Sequence, residues 1–194
     1  MVLTKKNNFD ELVNNLSRVH DVLQGYASKS INQFLSLRNW LFGYYIVEYE
    51  QNGEDRAKYG ENLIVNVTQK VKHIKGLTGN QLYVCRNFYL LYPHFLRTVS
   101  VILQSHDTGH DEILRTLSVK SQIIDNENVL IENTSNDDGI VQRVEGKNDD
   151  LQLLPELLLS RLSFSHFIEL IRVDDSSQRL FYEVETINIG RAHV

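Results

Sequence analysis

The chain has one cysteine, Cys85, so it forms no internal disulfide and carries no cysteine pair for zinc or redox chemistry. Among its 194 residues no apolar run approaches the ~20 residues of a membrane-spanning helix. Lys5 and Lys6 are followed by no apolar stretch, so a secretory leader of the usual kind is not expected from these residues. Also missing are a glycine-rich phosphate loop, a Gly-x-Ser-x-Gly elbow and an HExxH helix. The apolar fraction, 42%, still suffices for a packed core. A cytoplasmic protein is the expectation.

Acid is scarce in one region. The chain carries a net charge of -5, yet between Arg56 and Arg97 the only carboxylate is Glu61. The same interval holds Arg56, Lys58, Lys70, Lys72, Lys75, Arg86 and Arg97. A locally basic stretch inside an acidic protein is the electrostatic footprint expected for phosphate.

The pattern in that interval is two helices joined by a glycine-bracketed turn. Tyr59, Leu63, Val67, Val71 and Ile74 recur at helical spacing. Gly76 and Gly79 bracket the turn, and a glycine there supplies the left-handed backbone that other residues resist. Thr78 with Gln81 reads as the cap of a second helix that buries Leu82, Cys85, Phe88, Tyr89 and Tyr92 and stops at Pro93. This is a helix-turn-helix pattern. In a major groove the second helix would read bases with Asn80, Gln81, Tyr83, Arg86 and Asn87, while Lys70, Lys72 and Lys75 would contact phosphate.

Upstream, Asn8 with Glu11 reads as the capped start of a helix carrying Leu12, Leu16, Val19 and Leu23. Ser30 with Gln33 reads as the start of another, with Phe34, Leu37, Leu41, Tyr44 and Val47 on its apolar side. Gly43 sits inside it, and close approach of a neighbouring helix is the expected reason. Downstream, residues 94–103 are expected to pack as a short helix or strand. Residues 105–150 are acidic and turn-rich, an insert or linker in which 117–124 and 129–131 could pair as a β-hairpin or wing. Residues 151–188 read as a helical hairpin, with Ser163 or Ser165 as a cap and His166 in a capping or core role.

Several residues are similar to the YhcG-like family of PD-(D/E)XK nucleases. Trp40, Gly43, Glu48, Gln51-Asn52-Gly53, Arg56-Ala57, Tyr59-Gly60 and Leu63-Ile64 resemble its N-terminal domain, as do Asn80-Gln81-Leu82, Arg86-Asn87-Phe88-Tyr89 and Tyr92-Pro93. Ser163, His166, Glu169, Arg172 and Arg179 through Glu183 resemble its second block. The resemblance covers residues 31–103 and 151–188. It implies a mainly α chain, with a winged-helix-like domain over residues 1–104 and a helical hairpin leading to a nuclease domain. It also implies a more basic second helix than this one. Gly79, Tyr83 and Val84 depart from that pattern and leave room for protein docking. The family continues beyond the hairpin, so residues 189–194 are expected to be a non-native tail on a truncated chain.

The chemistry of such a nuclease needs metal-binding carboxylates and a lysine beside the attacking water. Glu145 and Lys147 with Asp137 and Asp138 imitate that spacing, but their asparagine- and glycine-rich setting reads as a solvated loop, and no lysine follows Lys147. His106 and His110 with Asp107 and Asp111 could face one side of a helix, but no third ligand accompanies them. The expectation is therefore a chain without a catalytic site or metal of its own, any Mg²⁺ belonging to the nuclease domain. Its expected role is to recognise or position duplex DNA. The alternative is a homodimer or protein-docking module using Tyr83, Leu90, Leu91 and Phe95.

Overall fold

The computed structural model describes residues 8–25, 31–53, 55, 62–105, 141–143 and 151–191. The chain is mainly helical and divides into two compact units, residues 1–93 and 94–194. Residues 94–104, read above with the N-terminal domain, fall in the second unit.

The first unit is built round α2, Ile31–Asn52. Its sequence places apolar and aromatic residues on every side rather than on one stripe, which marks a helix with neighbours all round. Trp40, Leu41, Phe42, Tyr44, Tyr45, Ile46, Val47 and Tyr49 are all buried, beyond the single face that the spacing suggests. α1, Phe9–Gly25, packs on α2 through buried Leu12, Leu16 and Val19. The side chain of Leu23 lies outside the described residues. Each such buried side chain contributes roughly 1.5–3 kcal/mol.

α1 begins as its sequence directs. Asn8 Oδ1 accepts from the Glu11 amide at 2.9 Å. A second carboxylate closes the same end from far along the chain. Asp55 accepts from the Phe9 amide at 3.1 Å and from the Tyr49 hydroxyl at 2.9 Å. One side chain thus ties the first turn of α1 to the last turn of α2. Asp55→Ala is expected to destabilise the first unit by roughly 1–3 kcal/mol, because it leaves both donors without their acceptor. A lowered denaturation midpoint would show this, and an unchanged midpoint would mean that water replaces the carboxylate at no cost.

α3, Leu63–Lys70, and α4, Gly79–Leu91, form the second helix pair. α4 is the principal neighbour of α2. The contact is close because α2 has no side chain at Gly43. A Cβ there would collide with the Cys85 carbonyl and stand 2.9 Å from the Tyr89 Cβ. Around this point Trp40 stacks on Tyr44, while Tyr89 meets both rings edge-on, at 5.2 and 5.6 Å between centroids. The Trp40 indole N–H donates to the Tyr92 carbonyl at 2.9 Å, satisfying a buried carbonyl at the C-terminal end of α4.

A 3₁₀ turn, Pro93–Phe95, begins at the last residue of the first unit and leads into α5, Leu96–Ser105, with Val99 and Leu103 buried. Strands β1, Val141–Arg143, and β2, Leu151–Leu153, pair antiparallel with Gln142 opposite Gln152. The segment opening the apolar run at 151 is therefore a strand, not part of a helical hairpin. The expected hairpin between 117–124 and 129–131 lies outside the described residues.

Three helices follow the strands. α6, Pro155–Arg161, starts with proline in its first turn, where a missing N–H costs nothing. α7, Phe164–Ile171, starts at Ser163, whose amide donates to His166 Nδ1 at 3.1 Å, so His166 is a capping residue. α8, Ser176–Arg191, is capped by Asp175, which accepts from the Gln178 amide at 2.7 Å. α8 runs past Asn188 through Gly190. It packs on β2, α6 and α7. The Thr98 hydroxyl donates to Glu156 at 2.6 Å, joining α5 to α6, and Phe95 of the 3₁₀ turn meets Phe167 of α7 edge-on.

Candidate nucleic-acid interface

α3 stops at Lys70, earlier than its apolar spacing suggests. Val71 and Ile74 are buried, but from a turn and not from a helix. The periodicity survives because the turn is wound nearly as tightly. The Ile74 amide donates to the Val71 carbonyl at 2.9 Å, and the Leu77 amide to that of Ile74 at 3.3 Å. Val71, Ile74 and Leu77 are the inward anchors of this segment. The residues between them, Lys72, His73 and Lys75, are exposed, as is Lys70. Pinning every third residue to the core therefore leaves Lys72 and Lys75 on the outside of the turn, following Lys70 at the end of α3.

Gly76, at φ 81°, then reverses the chain into α4. Thr78 caps that helix by accepting from the Gln81 amide at 3.2 Å. The partial positive charge of the α4 N-terminus follows directly on the lysine-bearing turn. Residues 62–93 contain no aspartate or glutamate. The surface that they form is cationic through its own sequence.

α4 sorts its side chains cleanly. Leu82, Cys85 and Phe88 are buried, while Asn80, Tyr83, Asn87 and Leu90 are exposed along the opposite side. Burial pushes the Cys85 thiol up to about 12, so it stays protonated and acts as a packing residue. Gln81 is half-buried, less open to solvent than Asn80, Tyr83 and Asn87.

Arg86 is placed differently from its expected role. Its Nε donates to both carboxylate oxygens of Glu50 on α2, at 2.8 and 3.0 Å. The cation expected at a base edge is thus held against the neighbouring helix. Glu50 is the residue that sequence reading missed, since a partner 36 positions away leaves no local signal. The exposed apolar residues of the docking alternative are Tyr83, at 49%, and Leu90, at 45%. Leu91 is half-buried, and Phe95 is fully buried in the second unit, so it cannot serve that surface. Asp137, Asp138, Glu145, Lys147, His106 and His110 lie outside the described residues, as do Arg56 and Lys58.

Fold and surface together define a mainly helical chain whose first unit carries a basic helix–turn–helix. A family profile described as the DUF1016 N-terminal domain matches residues 15–121, and the chain belongs to that family. It is also similar to a protein of Escherichia coli (strain K12) named "Putative nuclease YhcG", with 26% identity over 168 residues. The similarity covers 84% of this chain and 36% of that relative, so the chain spans about a third of the relative's length. The resemblance to the YhcG-like family read in residues 31–103 and 151–188 is therefore shown. No solved structure matches the chain.

Proposed function

We propose that this chain is a non-catalytic module that recognises or positions duplex DNA for a YhcG-like nuclease in the cytoplasm. The observation that carries this reading is the row Lys70, Lys72 and Lys75, exposed at the end of α3 and on the turn that leads into the N-terminus of α4. Lysines there would contact phosphate and fix register, while Asn80, Tyr83 and Asn87 meet the bases. The name of the E. coli relative supports the link to a nuclease. Magnesium chemistry would belong to the nuclease part, so DNA binding by this chain is expected to survive EDTA, and the chain alone to cleave nothing when Mg²⁺ is added.

The test is anisotropy of labelled duplex titrated with the whole chain. Three phosphate contacts give a log–log salt slope of about -2.7, or a loss of roughly 40-fold between about 50 and about 200 mM salt. Replacing Lys70, Lys72 and Lys75 together with Glu is expected to abolish binding. Absence of binding at low salt, or full binding by the triple variant, would overturn the reading.

A second reading, a protein-docking or homodimer module, is favoured by exposed Tyr83 and Leu90 on the same helix. Association through that apolar pair would be nearly indifferent to salt and would weaken in Tyr83→Ser with Leu90→Ser.

A further inference from the structure

The reading helix has one cation, and α2 holds it. On α4, at about 100° per residue, Asn80 and Asn87 stand within about 20° of one another, while Arg86 lies about 120° round the helix from Asn80. Asn80, Tyr83 and Asn87 are exposed, while the Arg86 and Glu50 side chains are only 33% and 31% exposed and share two hydrogen bonds. The outer face of α4 therefore offers amides, a phenol and an apolar Leu90, and no charge.

That composition matters for which base pairs such a helix can select. An asparagine amide donates and accepts in the pattern that matches adenine, whereas guanine presents two acceptors and is best met by arginine. We infer that the module selects adenine-containing base pairs through Asn80 and Asn87, and that Glu50 sets this preference by holding Arg86 away from the groove. The inference rests on the DNA-binding reading above and adds the class of sequence and the residue that fixes it. Glu50 touches no base. It is a positioning residue, acting through Arg86.

The experiment compares affinities of the whole chain for two duplexes of equal length, one A·T-rich and one G·C-rich. The wild-type chain is expected to favour the first by about five-fold or more, the smallest ratio that one good base contact provides. The pair Asn80→Ala and Asn87→Ala should erase the preference and leave the salt slope intact. Arg86→Gln should leave the preference as it was. Glu50→Gln frees Arg86 and should shift the ratio towards the G·C-rich duplex by a similar factor. Removing a carboxylate also raises affinity for any DNA, so the ratio is the readout. Combining Glu50→Gln with Arg86→Gln should restore the wild-type ratio, which a general charge effect would not do. Circular dichroism melts confirm that each variant is folded.

Lysine-dependent binding with equal affinity for the two duplexes would overturn this inference and leave the proposed function standing. A Glu50→Gln ratio identical to wild type would do the same. No lysine-dependent binding to either duplex would overturn both.

Discussion

Gly43→Val is expected to cost the first unit at least the upper end of the about 1–3 kcal/mol usual for overpacking. The reason is what a side chain would strike. Its Cβ would run into the Cys85 carbonyl oxygen, with the carbonyl carbon at 2.7 Å. These are backbone atoms of α4 and cannot rotate aside, so the helices must separate. Separation would also pull the Trp40 indole from the Tyr92 carbonyl and loosen the edge contacts of Tyr89. Gly43→Ala carries the same Cβ and should show a large part of the effect. Helix propensity alone argues the reverse, since alanine is favoured over glycine inside a helix by about 1 kcal/mol. A thermal melt decides: an Ala variant as stable as wild type would mean that α2 and α4 adjust without loss.

Acidification is expected to weaken the second unit through His94. Burial holds this imidazole well below its ordinary 6.5, at about 4, so the folded state resists protonation. The unfolded chain takes up the proton at the ordinary value, which favours unfolding as pH falls. The contribution is complete above about 6.5, is lost progressively on the way down to about 4, and changes no further below that. Its full size is about 3 kcal/mol, of which about 2 would be gone at pH 5. Carboxylates titrate over part of this range, so the measurement is a difference. Denaturant stability of wild type and His94→Gln is followed from pH 7.5 to 4.5, and wild type should fall more steeply by about that amount. Parallel curves would remove His94 from the account.

What was legible in the sequence was local. Asn8 with Glu11, and Thr78 with Gln81, are caps because a side chain three residues back can reach an amide, and the spacing alone states it. Gly43 was legible for a related reason. A glycine costs stability inside a helix unless something needs its missing side chain. Ser163 with His166 follows the same three-residue logic, with an imidazole where Glu or Gln is usual.

What was not legible joins distant positions or depends on backbone detail. Asp55 meets Phe9 across 46 residues, and Glu50 meets Arg86 across 36. Periodicity cannot tell a buried turn from a helix when both bury every third or fourth residue, which is why α3 seemed to continue to Ile74. The pairing of β1 with β2 joins short segments separated by an acidic stretch, and three residues of alternation are too few to declare a strand. In the candidate site the lysines and asparagines could be named from sequence, but the withdrawal of Arg86 could not.

The hydrogen bond from Trp40 to the end of α4 has an optical consequence. Trp40 is the sole tryptophan of the chain, fully buried, stacked on Tyr44 and met edge-on by Tyr89. Its emission belongs entirely to the unit formed by residues 1–93, and the tyrosines beside it can pass excitation to it. The other unit has no indole and is dark at the same wavelengths. Tryptophan fluorescence therefore follows the parting of α2 from α4 alone, while circular dichroism sums both units. Recorded on one sample, the two signals separate the melting of one half of the chain from that of the other without cutting it.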